Sequence, residues 1–131
     1  KLTKEVHNCI IVSYDTNTTG GCMATFAEIN SFLAQAKAAL ASNNYKILDK
    51  RWKYTSTLAQ LSLIEQDVLD DLLNLSVNEN WVKEPDNNPV YPGDVWQCKK
   101  MLHNQCIYIK LKIQSSPQGQ LLVMSYHIDG M

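Results

Sequence analysis

From residue 95 onward the chain alternates between apolar and polar positions with the period of a β-strand, over about Val95–Met101, Cys106–Gln114 and Gln120–His127. Two turn signals separate these segments. His103-Asn104 fits a two-residue hairpin loop, which places Leu102 opposite Gln105. Ser116-Pro117-Gln118-Gly119 fits a type I turn, with Pro second and Gly fourth, and places Ser115 opposite Gln120. Period two then sets Gln97 opposite Lys110, Lys99 opposite Tyr108, Tyr108 opposite His127, Lys110 opposite Ser125 and Lys112 opposite Val123, all on one face. The other face carries Trp96, Cys98, Ile107, Ile109, Leu111, Ile113, Leu122, Met124 and Tyr126. A one-residue slip in the second turn would expose Leu122 and Met124, each worth about 1.5–3 kcal/mol when buried, which favours this register.

Ahead of the strands the spacing is helical. Thr25-Phe26-Ala27-Glu28 has the form of a capping box, and Ile29, Leu33, Ala36 and Leu40 form one stripe behind it. A helix to about Ser42 follows, stopped by Asn43-Asn44. Tyr45–Tyr54 reads as a short strand. A second helix is expected over about Ile64–Leu75, burying Val68, Leu69, Leu72, Leu73 and Leu75. Glu65, Asp67, Asp70 and Asp71 fill the remainder, favourably near the positive end of the helix dipole. Ser76-Val77-Asn78-Glu79 offers another capping box and a short helical turn through Trp81. Pro85, Pro89, Pro92 and Gly93 imply an irregular loop over Lys83–Asp94. The expected fold is α+β, with two N-terminal-side helices packed on one face of a small antiparallel sheet.

With 131 residues, the chain is long enough for one domain and one core. Thr16-Asn17-Thr18-Thr19-Gly20-Gly21 reads as a break, so residues 1–22 are taken as an extension or linker and 23–131 as the domain proper, opening at Met23. No apolar run reaches the roughly 18 residues of a membrane span, and Cys9-Ile10-Ile11-Val12 is too short for a signal core. A cytosolic location, away from membranes, is the expectation. Cys9, Cys22, Cys98 and Cys106 lack zinc-site spacing. Cys98 and Cys106 should point to opposite faces, a Cys9–Cys22 bridge stays open, and free thiols are the default.

Charge changes the picture more. The net charge is −1, yet the thirty-three residues from Val95 to His127 contain no Asp or Glu. Local segregation of this kind sets the field at a surface more than net charge does. Gln97, Tyr108, Lys110, Ser125 and His127 converge on one open patch, with Lys99 and Lys112 beside it. Such a patch suits a polyanion: lysine attracts phosphate as a point charge, and Tyr108 or Trp81 could stack on a base. A magnesium nuclease needs clustered carboxylates, and this face is expected to have none. Metal-free RNA cleavage needs a base for the 2′-OH, cations for the phosphorane and an acid for the 5′-oxygen. His127 could be base or acid, Lys110 and Lys83 could neutralise the phosphorane, and Tyr108 could orient the phosphate or donate a proton. The same alternation also describes the solvated side of an ordinary antiparallel sheet, a non-catalytic RNA-binding face, or an inert sheet in a protein that works through its helices. His103 belongs to a turn, Trp96 to the core, and only one of Lys99 and Lys100 can join the patch.

Thr57-Leu58-Ala59-Gln60-Leu61, Asp67-Val68-Leu69-Asp70, Trp81-Val82-Lys83-Glu84-Pro85, Val95-Trp96-Gln97, Tyr108-Ile109-Lys110-Leu111-Lys112 and Ser125-Tyr126-His127 occur in this order. Together, across about Thr25–Ile128, they resemble the MqsR family of type II toxins, RelE-like mRNA interferases also called motility quorum-sensing regulators. The resemblance implies ribosome-independent, metal-independent cleavage of mRNA without a cofactor. It implies catalytic roles for Lys83, Gln97, Tyr108 and His127. Lys110 matches a recurrent family lysine, and RNA contacts are expected from Lys110, Lys112, Lys99, Ser125 and Trp81. The family varies between Lys and His at the last catalytic site, and often has Gly and Thr where this chain has Ser62 and Ile64. A cognate antitoxin, typically carrying a helix-turn-helix domain, is the implied protein partner. Its docking surface would be an exposed edge strand or the acidic second helix.

Overall fold

The first helix forms where its caps are. In the computed structural model, which describes residues 22–86, 93–115 and 119–131, strand β1 (Cys22–Met23) leads into helix α1 (Phe26–Ala41). Thr25 Oγ1 accepts from the Glu28 N–H at 3.2 Å, and Glu28 Oε1 accepts from the Thr25 N–H at 3.0 Å, so both halves of the expected capping box are made. Ile29, Leu33, Ala36 and Leu40 are buried as expected, joined by Phe32 and Ala39. The helix ends at Ser42, and Asn43 takes a left-handed conformation (φ 59°).

The next segment differs from expectation. Strand β2 is only Tyr45–Ile47, and Trp52–Leu61 is a helix, α2. Tyr54 and Thr57 are buried and Leu58 and Leu61 partly so, a spacing of three and four that belongs to a helix. Helix α3 (Glu65–Leu73) begins with the Asp67 carboxylate accepting from the Ile64 N–H at 2.9 Å. Val68 and Leu72 are buried, but Leu73 is 38% exposed and Asp71 points inward in its place. That exchange is stabilised by two donors, the Tyr126 hydroxyl at 2.6 Å and Lys100 Nζ at 2.5 Å. Ser76–Glu79 makes a turn, and no helical turn runs on to Trp81.

Strand β3 (Val82–Asp86) occupies what the prolines had marked as loop. Pro85 has no N–H to give, and among the described residues β1 pairs β3 only at Val82 and Lys83, so no described strand asks a ladder bond of the proline on that side. Residues 87–92 lie outside the described ones. Strands β4 (Gly93–Leu102), β5 (Gln105–Gln114) and β6 (Gln120–Ile128) follow. Among the described residues the sheet has six strands in the order β1-β3-β4-β5-β6-β2, antiparallel throughout except that β2 runs parallel to β6. The architecture is thus α+β, with three helices and a mixed sheet among the described residues, where two helices and an antiparallel sheet were expected.

The first hairpin has the expected register, Leu102 opposite Gln105, with positive φ at both His103 (51°) and Asn104 (63°). The second does not. Gln114, rather than Ser115, lies opposite Gln120, so Lys112 faces Leu122 and Leu111 faces Val123. A bulge after Lys110 leaves Met124 as the extra residue and restores the expected pairs Lys110–Ser125 and Tyr108–His127. The core therefore takes Leu121 and Val123, while Leu122 turns to the other face and is still fully buried. Little apolar area is lost, because Leu121-Leu122-Val123-Met124 is apolar at every position; only Met124, expected in the core, is left partly exposed.

One cluster fills the space between helices and sheet: Phe32 stacks on Trp96 at 4.5 Å, and Trp81 meets both rings edge-on at 5.8 and 6.4 Å. Trp81 also donates from its indole nitrogen to the Ser76 carbonyl at 2.8 Å. It is a core residue with no face left for a base, which overturns its expected stacking role.

Candidate functional site

The far side of the sheet from the helices carries Gln97 on β4, Tyr108 and Lys110 on β5, and Ser125 and His127 on β6. Strand pairing alone brings these five together, as the sequence implied. Tyr108 donates its hydroxyl to Gln97 Oε1 at 2.8 Å, and Gln97 Nε2 donates to Glu84 Oε1. The Tyr108 and His127 rings lie 5.4 Å apart, tilted by 42°. Burial, reinforced by the negative charges of Glu84 and Asp129, pushes the Tyr108 phenol up to about 12, so it stays protonated throughout the neutral range. His127 Nδ1 sits 2.9 Å from its neighbour's carbonyl, Ile128 O. A carbonyl only accepts, so Nδ1 carries the proton in this contact, and a neutral imidazole then offers its lone pair at Nε2. Lys110 is half-buried and has no ion pair with any described residue.

Four expected site residues are placed otherwise. Lys83 lies opposite Trp96, while its neighbour Val82 lies opposite Gln97. Period two therefore puts Lys83 on the helix-covered face, away from Tyr108 and His127. There it pairs with Glu28 at 2.6 Å and sits 5.8 Å above the Trp96 ring, and its charge holds the Glu28 carboxyl below the usual range. Lys112 is on the expected face but fully buried and paired with Asp86 at 2.7 Å, so it cannot meet RNA. Lys99 is paired with Asp129 at 2.9 Å. Trp81 is in the core.

The same strand that removes Lys83 supplies Glu84 and Asp86, which lie on the candidate face. The expectation of a face without carboxylates is thereby corrected: acids from outside the Val95–His127 run, including Asp129, return to it in space. Among the described residues, no three His, Cys, Asp or Glu side chains converge as a metal-binding group. Glu84 was missed because the prolines masked a strand whose alternation would have assigned it.

A cavity of about 230 Å³ opens beside His127, lined by Asp49, Arg51, Trp52, Lys53, Ser125 and His127. Arg51 grips Asp49 through two bonds, Nε to Oδ1 at 3.0 Å and Nη2 to Oδ2 at 3.2 Å, and holds the carboxyl below its ordinary value. These loop and α2 residues were also missed, since a strand reading of Tyr45–Tyr54 gives them no place near β6.

Cys98 is a free thiol, buried, with its pKa pushed well up by that burial, the signature of an inert core cysteine. Cys106 is disulfide-bonded, its partner lying outside the described side chains. The default of free thiols fails there, and a disulfide is at odds with the reducing cytosol that was expected. No helix among the described residues is long and apolar enough to cross a membrane. The boundary expected after residue 22 lies at the edge of the described residues, where Cys22 and Met23 pair with Lys83 and Val82. Comparison of the chain with protein-family models, with curated proteins and with solved structures gives no match.

Proposed function

We propose that the open half of this face cleaves RNA without a metal ion, and that the protein is an mRNA interferase of the MqsR type, with mRNA as substrate and a cognate antitoxin as protein partner. The observation that carries the reading is the adjacency of His127, Tyr108 and Lys110 on one sheet face, with a cavity opening beside His127. His127 Nε2 takes the proton of the 2′-OH as O2′ attacks phosphorus. Lys110, two residues from Tyr108 on the same strand, neutralises the phosphorane. Tyr108, protonated at working pH, turns its hydroxyl from Gln97 and protonates the departing 5′-oxygen. The O2′–P bond forms, the P–O5′ bond breaks, and the products are a 2′,3′-cyclic phosphate and a 5′-hydroxyl. Gln97, anchored by Glu84, positions the tyrosine.

This version differs from the family pattern at one point. The resemblance assigns catalysis to Lys83, whereas strand parity puts Lys83 on the other face and Lys110 beside Tyr108, so this reading gives the phosphorane to Lys110. Incubation of single-stranded RNA with the protein in EDTA, followed by end-group analysis, tests the proposal. Fragments ending in cyclic phosphate are expected, and a Lys83→Ala variant that still folds should retain cleavage. RNA that is bound but left whole would reduce the face to a binding module with steep salt dependence.

A further inference from the structure

Of the three tryptophans, Trp81 and Trp96 are buried, while Trp52 is 62% exposed. An exposed indole at a cavity mouth presents a broad flat face on which a planar ring can stack. Trp52 lines the same 230 Å³ cavity as Ser125 and His127, with Arg51 and Lys53 at its rim. The loop that presents it is held in shape: Asp49 accepts from both the Arg51 guanidinium and the Arg51 N–H, the latter at 3.1 Å.

We propose that this cavity is a base-binding subsite, in which an unpaired nucleobase of the RNA stacks on Trp52 beside His127. The proposal rests on the reading of the open face as an RNA site. The volume is below the roughly 300–1,000 Å³ of whole small-molecule sites and suits one planar base. Duplex RNA hides its base faces, so only a single-stranded or bulged nucleotide can enter. Arg51 and Lys53 are placed to meet the flanking phosphates, and the Asp49 carboxylate, kept ionised by Arg51, can accept from a base edge. Trp52 takes over the stacking role that the buried Trp81 cannot fill.

The probe is a short 2′-O-methyl RNA, which lacks the attacking hydroxyl and cannot be cut. Its binding should quench the iodide-accessible tryptophan fluorescence, which reports Trp52. Trp52→Ala should weaken its affinity by about 5- to 150-fold, the range expected for one stacked base, while Trp52→Phe keeps most of it. Affinity for inorganic polyphosphate, which has charge but no bases, should not change in either variant. Unquenched fluorescence in a wild-type complex with the RNA would overturn the subsite, as would equal losses toward RNA and polyphosphate. Cleavage is scored separately on unmodified RNA. If wild-type protein leaves that RNA whole while binding depends on Trp52, the subsite stands and the cleavage reading falls. If wild-type protein cuts RNA and Trp52→Ala binds and cuts equally well, the subsite falls and the cleavage reading stands.

Discussion

The two ends of the face opposite the helices are built from the same residue types and behave differently. Toward β3, Lys112 is fully buried against Asp86, and Val82, Val95 and Leu122 are buried with it. Toward β6, Lys110 and His127 are half-buried, and a cavity opens beside His127. Two lysines separated by one residue on a strand thus do opposite work. One is half of a buried ion pair, whose cost in desolvation is offset by its partner. The other has no ion-pair partner among the described residues and stands where a phosphate could arrive. The bulge after Lys110 divides the two regions, since it lets Leu122 turn inward against the closed end without moving Ser125 and His127 off the open one.

The contrast can be broken by substitution. The largest effect is expected at His127: His127→Ala should cut RNA cleavage by about 10²- to 10⁴-fold, the worth of a general base, with an unchanged circular dichroism spectrum. A residual rate close to wild type would remove His127 from the chemistry. Glu84→Gln should cost about 10- to 100-fold in turnover by loosening Gln97 and hence Tyr108. Because the Glu84 charge raises the Tyr108 phenol, the same variant should bring the Tyr108 titration down from about 12 in a spectrophotometric alkaline titration. An unmoved titration would show that the two groups are not coupled.

Alkaline stability sharpens the comparison from the core side. Tyr54 and Tyr108 are both raised from 10.0 to about 12, chiefly by burial. The fold therefore holds these protons more tightly than the unfolded chain does, so their contribution is complete below pH 10 and is lost as pH rises toward 12. Melting temperature should fall across that window, and less steeply in Tyr54→Phe. The Tyr54 hydroxyl is buried without a hydrogen-bond partner among the described residues, so the same substitution should also stabilise the protein near neutrality, by about 1 kcal/mol. A loss of stability in chemical denaturation would reveal a partner for that hydroxyl.

What was legible in the sequence follows from how each element is specified. Helix α1 announces itself through a complete capping box and one apolar stripe. The β4–β5 hairpin is fixed by His103-Asn104, and with it the meeting of Gln97, Lys99, Tyr108 and Lys110. The β6 register was not legible, because four successive apolar residues, Leu121 to Met124, fit the core at either parity and only the bulge decides. Prolines hid β3, and with it both the loss of Lys83 and the arrival of Glu84 and Asp86. Helix α2 was hidden by the aromatic residues of Tyr45–Tyr54, which favour a strand locally and are overridden by packing. A linear run without acids does not imply an acid-free face, since carboxylates return from other parts of the chain.

The central claim is tested most directly by a paired measurement on Lys110→Ala and Lys112→Ala, with cleavage rate and thermal stability read on both. Lys110→Ala should lose about 10²-fold in cleavage and melt like wild type. Lys112→Ala should lose stability toward the lower end of roughly 3–5 kcal/mol, because Asp86 keeps partial exposure, while the folded fraction cleaves at close to the wild-type rate. A Lys110→Ala protein that cuts RNA as well as wild type, or a folded Lys112→Ala protein that does not cut at all, would contradict the division of this face into a closed half and a catalytic one.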